Sequence, residues 1–102
     1  MKATLLLQFF MFTTFGAAAG EIAQQRFDEL KMDCDTCHGV HGVSVVPDQV
    51  PSIAGKGERF LVTQLQAFRA GKRRHDTMAQ MGDTMSDQEI RAIARYYSRI
   101  KR

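Results

Sequence analysis

Cys34-Asp35-Thr36-Cys37-His38 constrains this chain more than any other stretch, because it holds both of the chain's cysteines and joins a histidine to the second. Two thiols with two residues between them suit the spacing of the two vinyl groups of a haem, to which they add as thioethers. A histidine beside the second sulfur cannot swing far from the ring to which its neighbour is bonded. Its imidazole is therefore placed to act as the proximal iron ligand. One chemistry uses all three fixed positions.

Other uses of the motif fit less well. A thioredoxin-like Cys-x-x-Cys wants a preceding strand in a βαβ context, whereas the flanks here read as a short helix before and a Gly-rich loop after. Zinc wants four ligands, and Cys34, Cys37, His38 and His41 would have to crowd together with no distant pair to close the site. A disulfide between residues three apart is strained and closes a loop too small to stabilise much.

Residues 1–19 read as a cleaved export signal: Met1-Lys2, an apolar run from Leu5 to Phe15, and Ala17-Ala18-Ala19 as the cleavage site. The polar residues Thr4, Gln8, Thr13 and Thr14 interrupt the run, which is short for a membrane span. No stable membrane insertion is expected after cleavage, and the expected compartment is the periplasm. Export permits a disulfide as readily as a haem, so it supports the haem only weakly. Residues 20–102 then form one domain, with a core that is marginal unaided. A haem offers such a chain a large apolar body to pack against. Loss of Lys2 lowers the formal charge of +3 by one, which leaves too little positive charge to suggest nucleic acid.

Nothing in residues 20–102 reads as a strand ladder. Ala23, Phe27 and Leu30 predict a short amphipathic helix from about Glu21 to Met32 that delivers Cys34. The Gly- and Pro-bearing stretch from Gly39 to Gly57 reads as loop. Leu61, Leu65 and Phe68 predict a second helix from Glu58 to Ala70, closed by Gly71. Lys72 to Met85 reads as polar and irregular. Ser86-Asp87-Gln88-Glu89 is a capping box that opens a last helix with inner face Ile90, Ile93, Ala94, Tyr97 and Ile100.

In this order the chain resembles the class I c-type cytochromes. The resemblance rests on Cys34-Asp35-Thr36-Cys37-His38-Gly39, Gly42, Pro51-Ser52-Ile53-Ala54-Gly55, Phe60-Leu61, Gln64-Leu65, Phe68, Gly71, Met78, Ser86-Asp87-Gln88-Glu89-Ile90 and Tyr97, and it covers nearly all of residues 20–102. It is similar to the small bacterial electron carriers. His38 through Gly42 and Pro51 through Ala54 are also similar to the haem subunit of flavocytochrome c sulfide dehydrogenase. The implied fold is all-α, with N- and C-terminal helices packed around one covalently bound haem c.

The resemblance implies the site residues. Cys34 and Cys37 carry the haem and His38 is the proximal ligand. The carbonyl of Pro51 takes the other ring nitrogen of His38, with Pro47 the alternative. The distal ligand is a methionine, which favours reduced iron and raises the potential. In relatives it stands eight residues before the capping serine, which gives Met78, with Met81 the fallback and Met85 as core. His41 lies on the proximal side and is expected in solvent; His75, three residues before Met78, is at most a substitute ligand.

The implied activity is that of a soluble exported carrier, passing single electrons between redox partner proteins without catalysing a reaction itself. The alternative is the electron-accepting haem subunit of a flavocytochrome c sulfide dehydrogenase-type complex, whose flavoprotein subunit would be its partner. A gas sensor or peroxidase with an open iron site is a third reading, against which three methionines in one segment argue. Arg91, Arg95 and Arg99 recur every four residues on one helical face. They read as a solvated face first, and as a steering patch for an acidic donor or acceptor second. Lys72-Arg73-Arg74 is the other candidate patch.

Overall fold

A computed structural model describes residues 22–102. The segment read as an export signal, residues 1–19, lies outside them. The described residues form four helices and no strand: α1 (Gln24–His38), α2 (Glu58–Arg69), α3 (Asp76–Thr84) and α4 (Asp87–Ser98), with a single 3₁₀ turn at Val40–Gly42. The all-α architecture expected from the sequence is present.

Helix α1 runs through the cysteine motif instead of ending before it at Met32. Asp33 to His38 contain no glycine or proline to stop the helix, and the Thr36 hydroxyl donates back to the Met32 carbonyl at 2.8 Å. The helix ends at Gly39, whose φ of 90° leaves the helical region. Cys34 and Cys37 therefore lie one turn apart on one face of a helix.

Helix α2 closes as expected at Gly71. The Lys72 N–H bonds the Ala67 carbonyl at 2.9 Å and the Gly71 N–H bonds the Phe68 carbonyl at 3.2 Å, which satisfies carbonyls the helix would otherwise leave open. The capping box of α4 is complete, with the Glu89 N–H donating to Ser86 Oγ at 3.1 Å and the Ser86 N–H donating to Glu89 Oε1 at 2.9 Å.

The stretch read as irregular, Lys72 to Met85, instead contains α3. Met78, Met81 and Met85 stand at helical spacing, a pattern obscured by the polar residues around them. The helix starts at His75, whose Nδ1 accepts from the Met78 N–H at 3.3 Å, so an imidazole takes the place of the usual small polar cap. Gly82 lets α3 lie close on α2: a Cβ there would come within 3.0 Å of the Arg69 backbone.

Ile90, Ile93, Ala94 and Tyr97 form the buried face of α4, packed with Leu30 of α1, Leu61 of α2 and Met85. Ile53, Cys34 and Met81 border this cluster and are half-buried.

Candidate functional site

Tyr97 joins the loop after the motif to this core. Its ring lies so close to Gly42 that a Cβ at Gly42 would approach Cδ1 to 2.7 Å, and Gly42 itself has φ 74°. Only glycine meets both demands. The Gly42 carbonyl accepts from the N–H groups of Ile53 at 2.9 Å and Ala54 at 3.0 Å, and the Tyr97 carbonyl accepts from the Gly55 N–H at 2.8 Å. Within the loop, the Ser44 N–H donates to the buried Ser52 hydroxyl at 2.9 Å. These bonds fold residues 42–55 back toward the motif helix.

That return places Pro51 beside His38. The Pro51 carbonyl lies 2.7 Å from His38 Nδ1, so the ring donates from Nδ1 and keeps Nε2 as a lone-pair donor for a metal. Pro51, and not Pro47, makes this contact. The donor set thus consists of two free thiols and one oriented imidazole within the last turn and a half of α1.

Burial, with the Asp35 and Asp33 carboxylates adding to it, pushes the Cys34 thiol up to about 12. That is the opposite of the depressed thiol of an exchange catalyst. His41 is exposed at φ 57° and does not join Cys34, Cys37 and His38. Among the described residues, no group of three or more His, Cys, Asp or Glu side chains is placed to hold a metal ion. A pair of free thiols beside a single oriented histidine suits thioether attachment of a haem better than a closed zinc site. The following loop leaves Val40, Val43, Val45 and Val46 exposed, apolar surface of the kind a bound apolar group or a partner covers.

Met85 is buried at the joint between α3 and α4, and Met81 borders the core cluster. Met78 is half-buried and stands outside that cluster, on the first turn of α3. His75 is engaged as the helix cap.

Two features of the site escaped the sequence. The Tyr97 hydroxyl donates to Asp35 Oδ1 at 2.6 Å, with the Lys31 carbonyl at 3.2 Å, so a residue inside the motif is held by the last helix. The intervening positions of a Cys-x-x-Cys-His motif carry no fixed chemistry, so nothing marked Asp35. Arg26 and Arg69, which no local pattern marks, both reach the α3–α4 joint. The basic stripe Arg91, Arg95 and Arg99 is exposed, with Arg95 paired to Glu58 at 3.1 Å. In the second patch, Arg73 lies over the Phe68 ring and bonds Gln64 Oε1 at 2.6 Å.

The family described as cytochrome C oxidase, cbb3-type, subunit III matches residues 19–96. Cytochrome c4 of Stutzerimonas stutzeri is 42% identical over 74 residues, covering 64% of this chain and 35% of that protein. A thiosulfate dehydrogenase electron acceptor of the same species is 37% identical over 71 residues, covering 67% of this chain and 32% of the relative. The chain thus spans about a third of the length of these relatives. The cytochrome subunit of sulfide dehydrogenase of Chlorobaculum tepidum is 30% identical over 95 residues, covering 89% of this chain and 84% of the relative.

Proposed function

The chain belongs to the c-type cytochromes, which carry covalent haem c, and on that premise we propose that it is an exported electron carrier holding its haem through Cys34, Cys37, His38 and Met78. The observation that carries this reading is the bond from His38 Nδ1 to the Pro51 carbonyl at 2.7 Å, one residue from a cysteine one helical turn from its mate. The bond fixes the tautomer and the ring orientation and leaves Nε2 free for iron. When bound, the haem supplies the reversible one-electron chemistry.

The polypeptide's part is to hold and to tune. Cys34 and Cys37 anchor the ring to α1. Met78 would supply the soft thioether ligand that favours reduced iron. Its standing outside the core supports it over Met81 and Met85, which serve as packing. Electrons pass between this chain and redox partner proteins, and the chain performs no catalysis of its own. No helix among the described residues is long and apolar enough to cross a membrane. The periplasmic location rests on the export signal read in residues 1–19, cleaved after Ala19.

The match to a sulfide dehydrogenase cytochrome subunit over most of that protein's length favours one second reading, an electron-accepting subunit bound to a flavoprotein. Purification from the native host under gentle conditions separates the two. A free carrier elutes alone, and a subunit brings a flavin absorbance with it.

The proposal is tested by the intact mass of protein matured in a host competent for haem attachment. The expected mass exceeds that of the chain by one haem and survives acid extraction. A mass equal to the bare chain, or to the chain less two hydrogens, overturns it.

A further inference from the structure

The joint between α3 and α4 is gripped from two sides in the same way. Arg26 of α1 donates from Nη2 to the Thr84 carbonyl at 2.9 Å and from Nε to Glu89 Oε2 at 2.6 Å. Arg69 of α2 places Nη1 3.5 Å from the Met85 carbonyl and Nη2 2.6 Å from Asp87 Oδ1. Each guanidinium spans one carbonyl at the C-terminal end of α3 and one carboxylate in the first turn of α4. A cation suits the negative end of one helix dipole, and the two carboxylates suit the positive end of the next. The grip does not rest on exposed ion pairs alone, which are worth little. The Glu89 side chain is only 14% exposed, and Gly82 brings the backbone of α3 directly onto Arg69.

We infer that Arg26 and Arg69 are positioning residues that fix the exit of α3 and thereby hold its methionine on the iron. This rests on the reading of a methionine of α3 as distal ligand. The other end of α3 is tied less: its entry follows the exposed residues 71–75, whose bonds from Gly71, Lys72 and Arg73 return to α2, and the first turn of the helix itself has only the His75 side-chain cap. A helix so short, fixed at its exit, swings as a lever about the joint, and Met78 lies at the free end of that lever. Freeing the joint adds conformations in which the thioether is off the metal, while the packing of α1 on α4 is retained.

The test uses imidazole as a competitor for the sixth position of the ferric holoprotein. An external ligand binds only the methionine-dissociated fraction, so its apparent affinity reports that fraction. The double variant Arg26→Gln with Arg69→Gln is expected to raise the apparent imidazole affinity about tenfold, each single variant less, and Arg69→Lys to restore part of the difference. The single variants carry the test if the double one fails to mature. Ala94→Gly, which weakens α4 through helix propensity and the loss of a buried methyl without touching either guanidinium, is expected to lower the melting temperature without this change. Unchanged imidazole affinity in the Arg variants overturns the proposal, as does an equal rise in Ala94→Gly. A wild-type ferric protein lacking the sulfur-to-iron charge-transfer band overturns methionine ligation itself, and the positioning role with it.

Discussion

The hydroxyl of Tyr97 donates at 2.6 Å to the carboxylate of Asp35, 62 positions earlier in the chain and between the two cysteines. Burial, and then the bond to Asp35, raise the pKa of the phenol, which keeps it a donor throughout the physiological range. The last helix therefore holds the motif helix by a polar bond as well as by packing. Replacing Tyr97 by Phe keeps the ring against Gly42 but leaves a half-buried carboxylate without its donor. A loss of about 1–3 kcal/mol is expected in denaturant unfolding of the holoprotein. Asp35→Ala should share that loss, so the double variant falls short of the sum of the singles. Strictly additive losses would show that the two residues act apart.

Met78→Ala is expected to abolish the ferric sulfur-to-iron band, lower the potential and let carbon monoxide bind the reduced protein readily. Met81→Leu and Met85→Leu should keep the band and cost about 1 kcal/mol of stability as near-isosteric core changes. Loss of the band in Met81→Leu with its survival in Met78→Ala would transfer the ligand role by one turn of α3.

Acid should weaken the α3–α4 joint through Glu89. The hydrogen bond from Arg26 holds the Glu89 carboxyl below its ordinary value of 4.5, against the opposing effect of its burial. A depressed carboxyl contributes stability that is complete above the unfolded value and disappears as pH falls through the folded one. Glu89→Gln keeps an acceptor for the Ser86 N–H but loses the charge. The variant should therefore be less stable than wild type near neutrality and approach it below the carboxyl range. Parallel stability curves across that range would remove Glu89 from the acid response.

Neutralising Arg91, Arg95 and Arg99 together should slow electron exchange with an acidic partner at low salt. The difference should fade as salt shortens the screening length toward about 8 Å. Arg95 already pairs with Glu58, so Arg91→Gln and Arg99→Gln should account for most of the effect. Equal rates in wild type and triple variant at low ionic strength would leave the stripe a solvated face.

Much of the fold was legible because its signals are local. The capping box at Ser86, the closure of α2 at Gly71 and the buried face of α4 each depend on residues within one or two turns of each other. The reach of α1 through His38 was misread because the motif looked like a boundary, although no residue before Gly39 breaks a helix. Helix α3 was missed because its polar surroundings hid the methionine spacing and its cap is a histidine.

By itself the sequence determined that two thiols and an imidazole share one short stretch, because spacing along a chain limits where near neighbours can point; the two prolines offered as acceptors for His38 came from the family resemblance. Only the tertiary structure decided that Pro51 meets the ring, that Tyr97 grips Asp35, and that Arg26 and Arg69 meet at one joint. These contacts link residues distant in sequence. Their partners are set by how helices pack, and a charged or hydroxyl side chain carries no local mark of the distant carbonyl or carboxylate it will find.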